Sequence, residues 1–351
     1  MDMDANVQSG MKQVRESGGR IGYLDALRGF IMLVIVTFHV TFFCFHATSK
    51  VCSFTWYLMQ ITLPMFFFIS GFLVYRPDVK WDLGYLGRFL RRKIPYLLIG
   101  ATLFFLLYVY VFDRGLSAAL FTGGKCGYWF TYVLLIFFLI YGLVRFAVRE
   151  PWADVVLIAL GIALYVTAWP GYRAYVPVSG KVLALLSVDF WHLFIFLVIG
   201  TLARKHFAVV ERLLDGKWLV TVCLLVYFLV NIFQYHIPVS YKLLSALLAF
   251  AGIVILFAFF RHRQVLFSRQ TMMGSALQLV GRRTLDIYLI HFFLIPYNLS
   301  LVSFFADHPM PLVELIVSGS LALVIVGVSL VVSNVIRLSP PLARWLFGAK
   351  A

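Results

Sequence analysis

Arg28 and His39 stand eleven residues apart in the segment YLDALRGFIMLVIVTFHV, Tyr23 to Val40. On an α-helix rising about 1.5 Å per residue, that spacing carries the chain roughly 16 Å along its axis. A cation at one face of a membrane and an imidazole near its middle follow. An ionisable group inside a bilayer is costly, so a histidine at that depth is by default a functional candidate. Two uses stay open for it: a neutral imidazole acting as general base, because burial disfavours the charged form, or a histidine bonded to a neighbouring helix.

The second group is the basic run GRFLRRKIPYLL, Gly87 to Leu98, expected as a loop that opens a membrane span at Pro95. Arg88, Arg91 and Arg92 are adjacent or one helical turn apart, with Lys93 beside them. Three guanidinium forks at such spacing can grip phosphates bidentately. A topological signal or attraction to anionic lipid also needs positive charge, but not this density.

Weaker candidates follow along the chain. Ser70 and Gly71, after Pro64 in PMFFFISGFLVY, allow a close backbone approach or simple helix packing. Trp129 in GYWFTY is either a sugar-stacking ring or part of an interfacial aromatic belt. Asp189 and His192 in SVDFWHLF share a helical face, as a structural pair or a catalytic one. Asp286, Tyr288 and His291 lie in GRRTLDIYLIHFFL. His46 and Glu314 sit near span ends and carry little signal. Cys44, Cys52, Cys126 and Cys223 have neither metal-ligand spacing nor a CxxC pair, so no metal is expected. A disulfide between Cys52 and Cys126 is one option for loops outside the cytoplasm.

The elements that must position these groups are membrane helices. The chain is 62% hydrophobic and 13% charged, with a mean hydropathy of +0.93, whereas soluble domains carry about a quarter charged residues. Long unbroken apolar runs suit helices and not the alternation of a barrel. The fold class expected is all-α, a polytopic bundle of about ten spans near 29–47, 54–75, 94–112, 128–148, 153–169, 183–203, 218–234, 243–260, 285–305 and 311–336. No cleavable leader precedes the first run. A polar tail, 1–20, and a single membrane domain, 21–351, fill the sequence.

The net charge of +15 is distributed by side, not gathered for nucleic acid, which is not expected as a partner. Alternate loops hold the N-terminal cations up to Arg28, then Arg76 to Lys93, Arg145 and Arg149, Arg204 to Lys217, Arg261 to Arg283, and Arg337 to Lys350. The opposite loops hold only Lys50, Arg114, Lys125, Arg173, Lys181 and Lys242. Such asymmetry places both termini in the cytoplasm.

Taken together, these pieces resemble the acyltransferase-3 family of bacterial membrane proteins, which O-acylate cell-envelope glycans. The likeness rests on LDALRG with Arg28 and His39 in the family's R-x10-H arrangement, on FFFISGF from Phe66 to Phe72, and on RFLRRKIPY from Arg88 to Tyr96. IYLIH, Ile287 to His291, matches a late signature. The resemblance implies an acyl-CoA co-substrate, acetyl-CoA being the expected one, with no bound cofactor, and a glycan or lipid-linked saccharide acceptor at the bacterial cytoplasmic (inner) membrane. It implies His39 as catalytic residue, Arg28, Ser70, Arg88, Arg91, Arg92 and Lys93 on the donor side, and Trp129, Asp189 and His192 on the acceptor side, with Tyr288 and His291 as further candidates. The competing classes are a proton-coupled secondary transporter using His39, Asp189 and His192 as a relay, and a glycan flippase. Neither needs a coenzyme A site, and no symmetric pair of interrupted helices marks an inverted repeat.

Overall fold

The computed structural model describes residues 15–16, 20–45, 53–168, 180–233, 240–297 and 310–348. A two-residue antiparallel ladder, Arg15–Glu16 (β1) with Arg20–Ile21 (β2), leads into α1, Gly22–Phe45. Then come α2, Ser53–Val74; α3, Leu83–Ile94; a π-helical turn, Pro95–Ile99; α4, Gly100–Val111; and short α5, Leu116–Leu120. A 3-10 turn, Lys125–Gly127, precedes α6, Trp129–Ala147, and α7, Trp152–Thr167. Next are α8, Gly180–Leu185, a 3-10 turn Val188–Leu193, α9, Phe194–Lys205, α10, Phe207–Asp215, and α11, Trp218–Phe233. The chain continues with α12, Tyr241–His262; α13, Met272–Arg282; α14, Thr284–Ile290; a 3-10 turn, His291–Phe293; α15, Pro311–Arg337; and α16, Pro340–Phe347.

Apart from the ladder in the tail, the regular structure among the described residues is helical, as the long apolar runs require. Among the described residues, six helical stretches are long and apolar enough to cross a membrane: 22–45, 57–74, 83–111, 129–147, 241–262 and 311–337. The pair Val188–Lys205 and Phe207–Asp215 is bent by 92°, and Trp152–Thr167, Trp218–Phe233 and Thr284–Phe293 are shorter apolar helices. That bend falls at His206, past the expected sixth span, which is itself interrupted near its start. Ser187 adopts a left-handed conformation (φ 53°), and the following turn is 3-10, so the i to i−4 ladder restarts only at Phe194. The ninth stops early, because the residue before Pro296 is pushed away from helical geometry.

α15 carries the clearest sign of its solvent. It buries Ser318, Ser329 and Ser333 completely while Leu323, Val324, Val331 and Val335 are 60–62% exposed. Polar inside and apolar outside is the reverse of a helix on a soluble protein, and it suits hydrocarbon.

The chain divides into two compact units. The first holds the described residues up to Ile69, His206–Tyr288 and 294–328. There α1 packs on α13 at a backbone-to-backbone crossing: a Cβ at Gly29 would overlap the Leu277 carbonyl, and one at Gly281 the Asp25 carbonyl. Tyr23 and Phe68 both meet Phe257 edge-on, and α11 packs on α12 through Val230, Leu244 and Leu248. The second unit holds Ser70–Lys205, Leu289–Phe293 and the C-terminal part from Ser329. In it Gly71 lies against the Leu197 carbonyl and Gly100 against that of Leu346. Arg145 and Lys205 each pair with both Glu150 and Asp154, closing a neutral four-charge network.

Candidate functional site

The basic run is helical, not a loop. Asp82 caps α3, accepting from the Tyr85 amide at 2.6 Å, and Arg91, Arg92 and Lys93 fill its last turn, where cations complement the helix dipole. Pro95 has no N–H and crowds the carbonyl four residues back. The helix widens there into the Pro95–Ile99 π turn and runs on as α4. On this helix Tyr85, Arg88, Phe89, Arg92 and Lys93 form one stripe, and with Leu73, Val74 and Arg76 they line a cleft of about 170 Å³. Arg91 is exposed and lies outside that lining.

Among the described residues, Arg76, Arg88 and Arg92 make no hydrogen bond or ion pair. That sets them apart from Arg145, Lys205, Arg261 and Arg283, each of which meets a carboxylate. Lys93 reaches back over the rings of Phe89 and Phe138, at 5.7 and 4.6 Å. Tyr85 and Phe89 are nearly parallel, 6.4 Å between centroids, with Trp81 edge-on to both. The cleft thus offers cations beside aromatic surface and no carboxylate in its lining. Ser70 is half-buried in the same unit, next to the Gly71 contact.

Arg28 belongs to the first unit. Its Nη2 donates to Thr284 Oγ1 at 2.9 Å, and that hydroxyl donates in turn to the Gly281 carbonyl at 3.2 Å. The contact depends on the Gly29 and Gly281 crossing, which brings α14 alongside α1. Eleven residues on along the unbroken α1, His39 is half-buried, with the rings of Phe38 and Phe43 at 5.9 and 6.0 Å. Tyr288, also in the first unit, is half-buried.

In the second unit Trp129 stacks on Phe190, with centroids 3.5 Å apart and planes 8° apart. Phe190 follows Asp189 in the chain, so this stacking brings Trp129 to the Asp189–His192 turn. One face of Trp129 is taken by Phe190; stacking on a ligand is left to the other. Asp189 and His192 lie on a 3-10 turn and not on the regular helix expected of this segment. His192 Nδ1 lies 2.7 Å from the main-chain carbonyl of Asp189. A carbonyl only accepts, so this bond puts the proton on Nδ1, and in the neutral ring Nε2 carries the lone pair. His291 is fully buried in the 3-10 turn, 4.0 Å from the Phe292 ring.

Two residues here were missed from sequence. In sequence Lys125 reads only as a loop charge, yet it is 3% exposed and its Nζ donates to Ala184 O and Ser187 Oγ, both at 2.8 Å. Burial pulls its ammonium down to about 8. Lys125, Cys126 and Ser187 all have positive φ, so strained backbone concentrates where this lysine joins two turns. Tyr128 OH donates to Leu289 O at 3.0 Å, and Gly127 (φ 97°) leaves room for the Phe292 ring. The turn carrying Trp129 is thereby fixed on both sides. No local sequence signal marks either partner of Lys125. Cys52 and His46 lie outside the described residues, whereas Cys126, the other half of the disulfide considered above, carries a free thiol.

The acyltransferase-3 family model, an acyltransferase domain, matches residues 21–333. No curated protein and no solved structure matches the chain. The family match runs from the residue before α1 well into α15, taking in α1 with Arg28 and His39, the basic helix and the Trp129 turn. This chain therefore belongs to the acyltransferase-3 family and is a multi-pass membrane protein with an acyltransferase domain.

Proposed function

We propose that the protein moves an acyl group, acetyl in the first instance, from cytoplasmic acyl-CoA to a hydroxyl of an extracytoplasmic or lipid-linked glycan. It does so in the bacterial cytoplasmic membrane, crossing it ten times with both termini inside. The observation that carries this reading is the cleft on α3: three arginines free of acidic partners among the described residues, in a protein that pairs other cations with carboxylates. Coenzyme A supplies the missing anions, and guanidinium–phosphate contacts are charge-assisted and bidentate. The charge asymmetry of the loops supports placing this cleft on the cytoplasmic side.

His39 is assigned the chemistry. A neutral imidazole takes the proton of the acceptor hydroxyl as its oxygen attacks the thioester carbonyl. The C–S bond breaks, the ester forms, and the proton passes to the departing thiolate. Arg28 and Ser70 are assigned to the donor, and the free face of Trp129, with Asp189 and His192, to the acceptor. No bound cofactor is required.

The test is thermal unfolding of the purified full chain with acetyl-CoA, succinyl-CoA and free coenzyme A. A ligand at about 100 times its Kd stabilises the folded state by roughly 2.7 kcal/mol. Stabilisation by the coenzyme A species is expected. A melting curve unmoved by millimolar acyl-CoA overturns the reading, since a proton-coupled transporter or a flippase has no use for this ligand.

A further inference from the structure

Arg28 is held differently from other cations of this protein. Arg145, Arg261 and Arg283 each meet a carboxylate, whereas Arg28 meets a hydroxyl. Its Nη2 donates to Thr284 Oγ1 at 2.9 Å, and among the described residues this is its one hydrogen bond. The direction of the bond is fixed from the threonine side. Thr284 Oγ1 gives its own proton to the Gly281 carbonyl, 3.2 Å away, so what it turns to Arg28 is a lone pair. Thr284 is buried, at 6% exposure, and its branched Cβ restricts χ1, which holds this acceptor in place. A neutral acceptor leaves the charge of Arg28 uncancelled, where a carboxylate would cancel it. It also leaves the gripping geometry whole. Nη2 carries two hydrogens, and whichever one the threonine takes, the other still forms a two-donor edge with Nε or with Nη1. Such an edge matches a phosphate or a carboxylate bidentately. An arginine already anchored also has less rotamer freedom to lose when it closes on a ligand.

We propose that Thr284 is a positioning residue for donor recognition: its hydroxyl aims the Arg28 guanidinium and leaves its charge and one two-donor edge to an anionic group of the acyl-CoA. The proposal rests on the assignment of Arg28 to the donor made above and adds the residue that sets its orientation. Thr284 acts through the arginine and touches no substrate itself. Serine keeps the oxygen and loses only the methyl that stiffens χ1, so it should stand in for threonine. Valine keeps the shape and loses the acceptor, so it should not.

The experiment titrates acetyl-CoA into the full chain in neutral detergent by calorimetry, with the melting temperature of each variant measured alongside. Arg28→Gln should weaken binding by about tenfold or more, the scale of a contact to a charged group. Thr284→Val should weaken it by about three- to tenfold, and Thr284→Ser by less than about twofold. The double variant separates positioning from packing: Arg28→Gln with Thr284→Val should bind no more weakly than Arg28→Gln alone, because the threonine acts through the arginine. Thr284→Ala repeats the measurement without the bulk of valine and serves in its place if valine is not recovered folded. Native affinity in the valine or alanine variant, with Arg28→Gln weakened, overturns the inference and leaves the donor reading intact. So does an equal loss from Thr284→Val with and without Arg28, and so does a serine variant as weak as the valine one. Native affinity in Arg28→Gln removes Arg28 from the donor site and the inference with it. Failure of the native protein to bind acetyl-CoA refutes the donor reading and the inference together.

Discussion

Arg28 and Thr284, 256 positions apart in sequence, are joined by a hydrogen bond of 2.9 Å from Nη2 to Oγ1. Two glycines permit it, because Gly29 and Gly281 let the backbones of α1 and α13 touch. Substituting Gly281→Ala drives a Cβ into the Asp25 carbonyl, with no flexible side chain to yield. We expect it to cost more folded yield in detergent than Thr284→Val, whose lost hydrogen bond is worth about 1–3 kcal/mol. Size-exclusion recovery and melting temperature measure both. A Gly281→Ala protein as stable as the parent would show that the crossing is looser than described.

The basic helix makes a graded prediction. Arg88→Gln with Arg92→Gln should raise the apparent KM for acyl-CoA by tenfold or more, at about 1.5–3 kcal/mol for each hydrogen bond to a charged group. Arg91→Gln should have a clearly smaller effect, because Arg91 stands outside the cleft. Lysine in place of Arg88 and Arg92 should give an intermediate loss, since it keeps the charge and not the bidentate fork. Equal effects at positions 88, 91 and 92 would reduce the cluster to general attraction.

Lys125 makes a signed pH prediction. Burial lowers its ammonium from an ordinary value of 10.5 to about 8. Between those values the unfolded chain binds the proton and the folded chain does not, so stability rises with pH from about 8 to 10.5. Below 8 both states are protonated and the penalty for the buried charge is constant. In Lys125→Met this rise should vanish, a difference on the order of 2 kcal/mol after screening by solvent. Melting temperatures of the two proteins at pH 7.5 and 10 provide the check; parallel pH profiles would contradict it.

What could be read in advance followed periodicity and apolar length. α1, with Arg28 and His39 in register, was legible because one unbroken run specifies it. In sequence the basic run reads as a loop because its charge density outweighs the Asp82 cap that starts α3 ahead of it. Arg91 was grouped with its neighbours by adjacency, but at 100° per residue it points away from the stripe containing Tyr85, Arg88 and Arg92. The break at Ser187 was hidden, since hydropathy does not register a left-handed residue inside an apolar window. Lys125 was unreadable for a further reason. A buried cation is tolerated only where acceptors converge, and its acceptors at Ala184 and Ser187 come from a segment about 60 residues on.

Sidedness can be tested within the second unit alone. Single cysteines at Arg88 and at Lys125, with the native cysteines replaced, are treated in intact cells with a membrane-impermeant thiol reagent. Because Lys125 is buried, its exposed neighbour Phe121 serves as a second outer position. The account expects labelling at 121 or 125 and none at 88. Labelling at 88 alone inverts the topology and moves the proposed donor cleft outside.

The central claim is that His39 carries acyl transfer, and label movement from donor to acceptor addresses it directly. Membranes containing the native protein or His39→Ala, matched for folded protein, are incubated with radiolabelled acetyl-CoA, and label is followed into the glycan and lipid-linked fractions. The account predicts transfer by the native protein and a loss of at least 100-fold in His39→Ala, on the scale of a removed general base, with the melting temperature little changed. Transfer by folded His39→Ala at the native rate would contradict it.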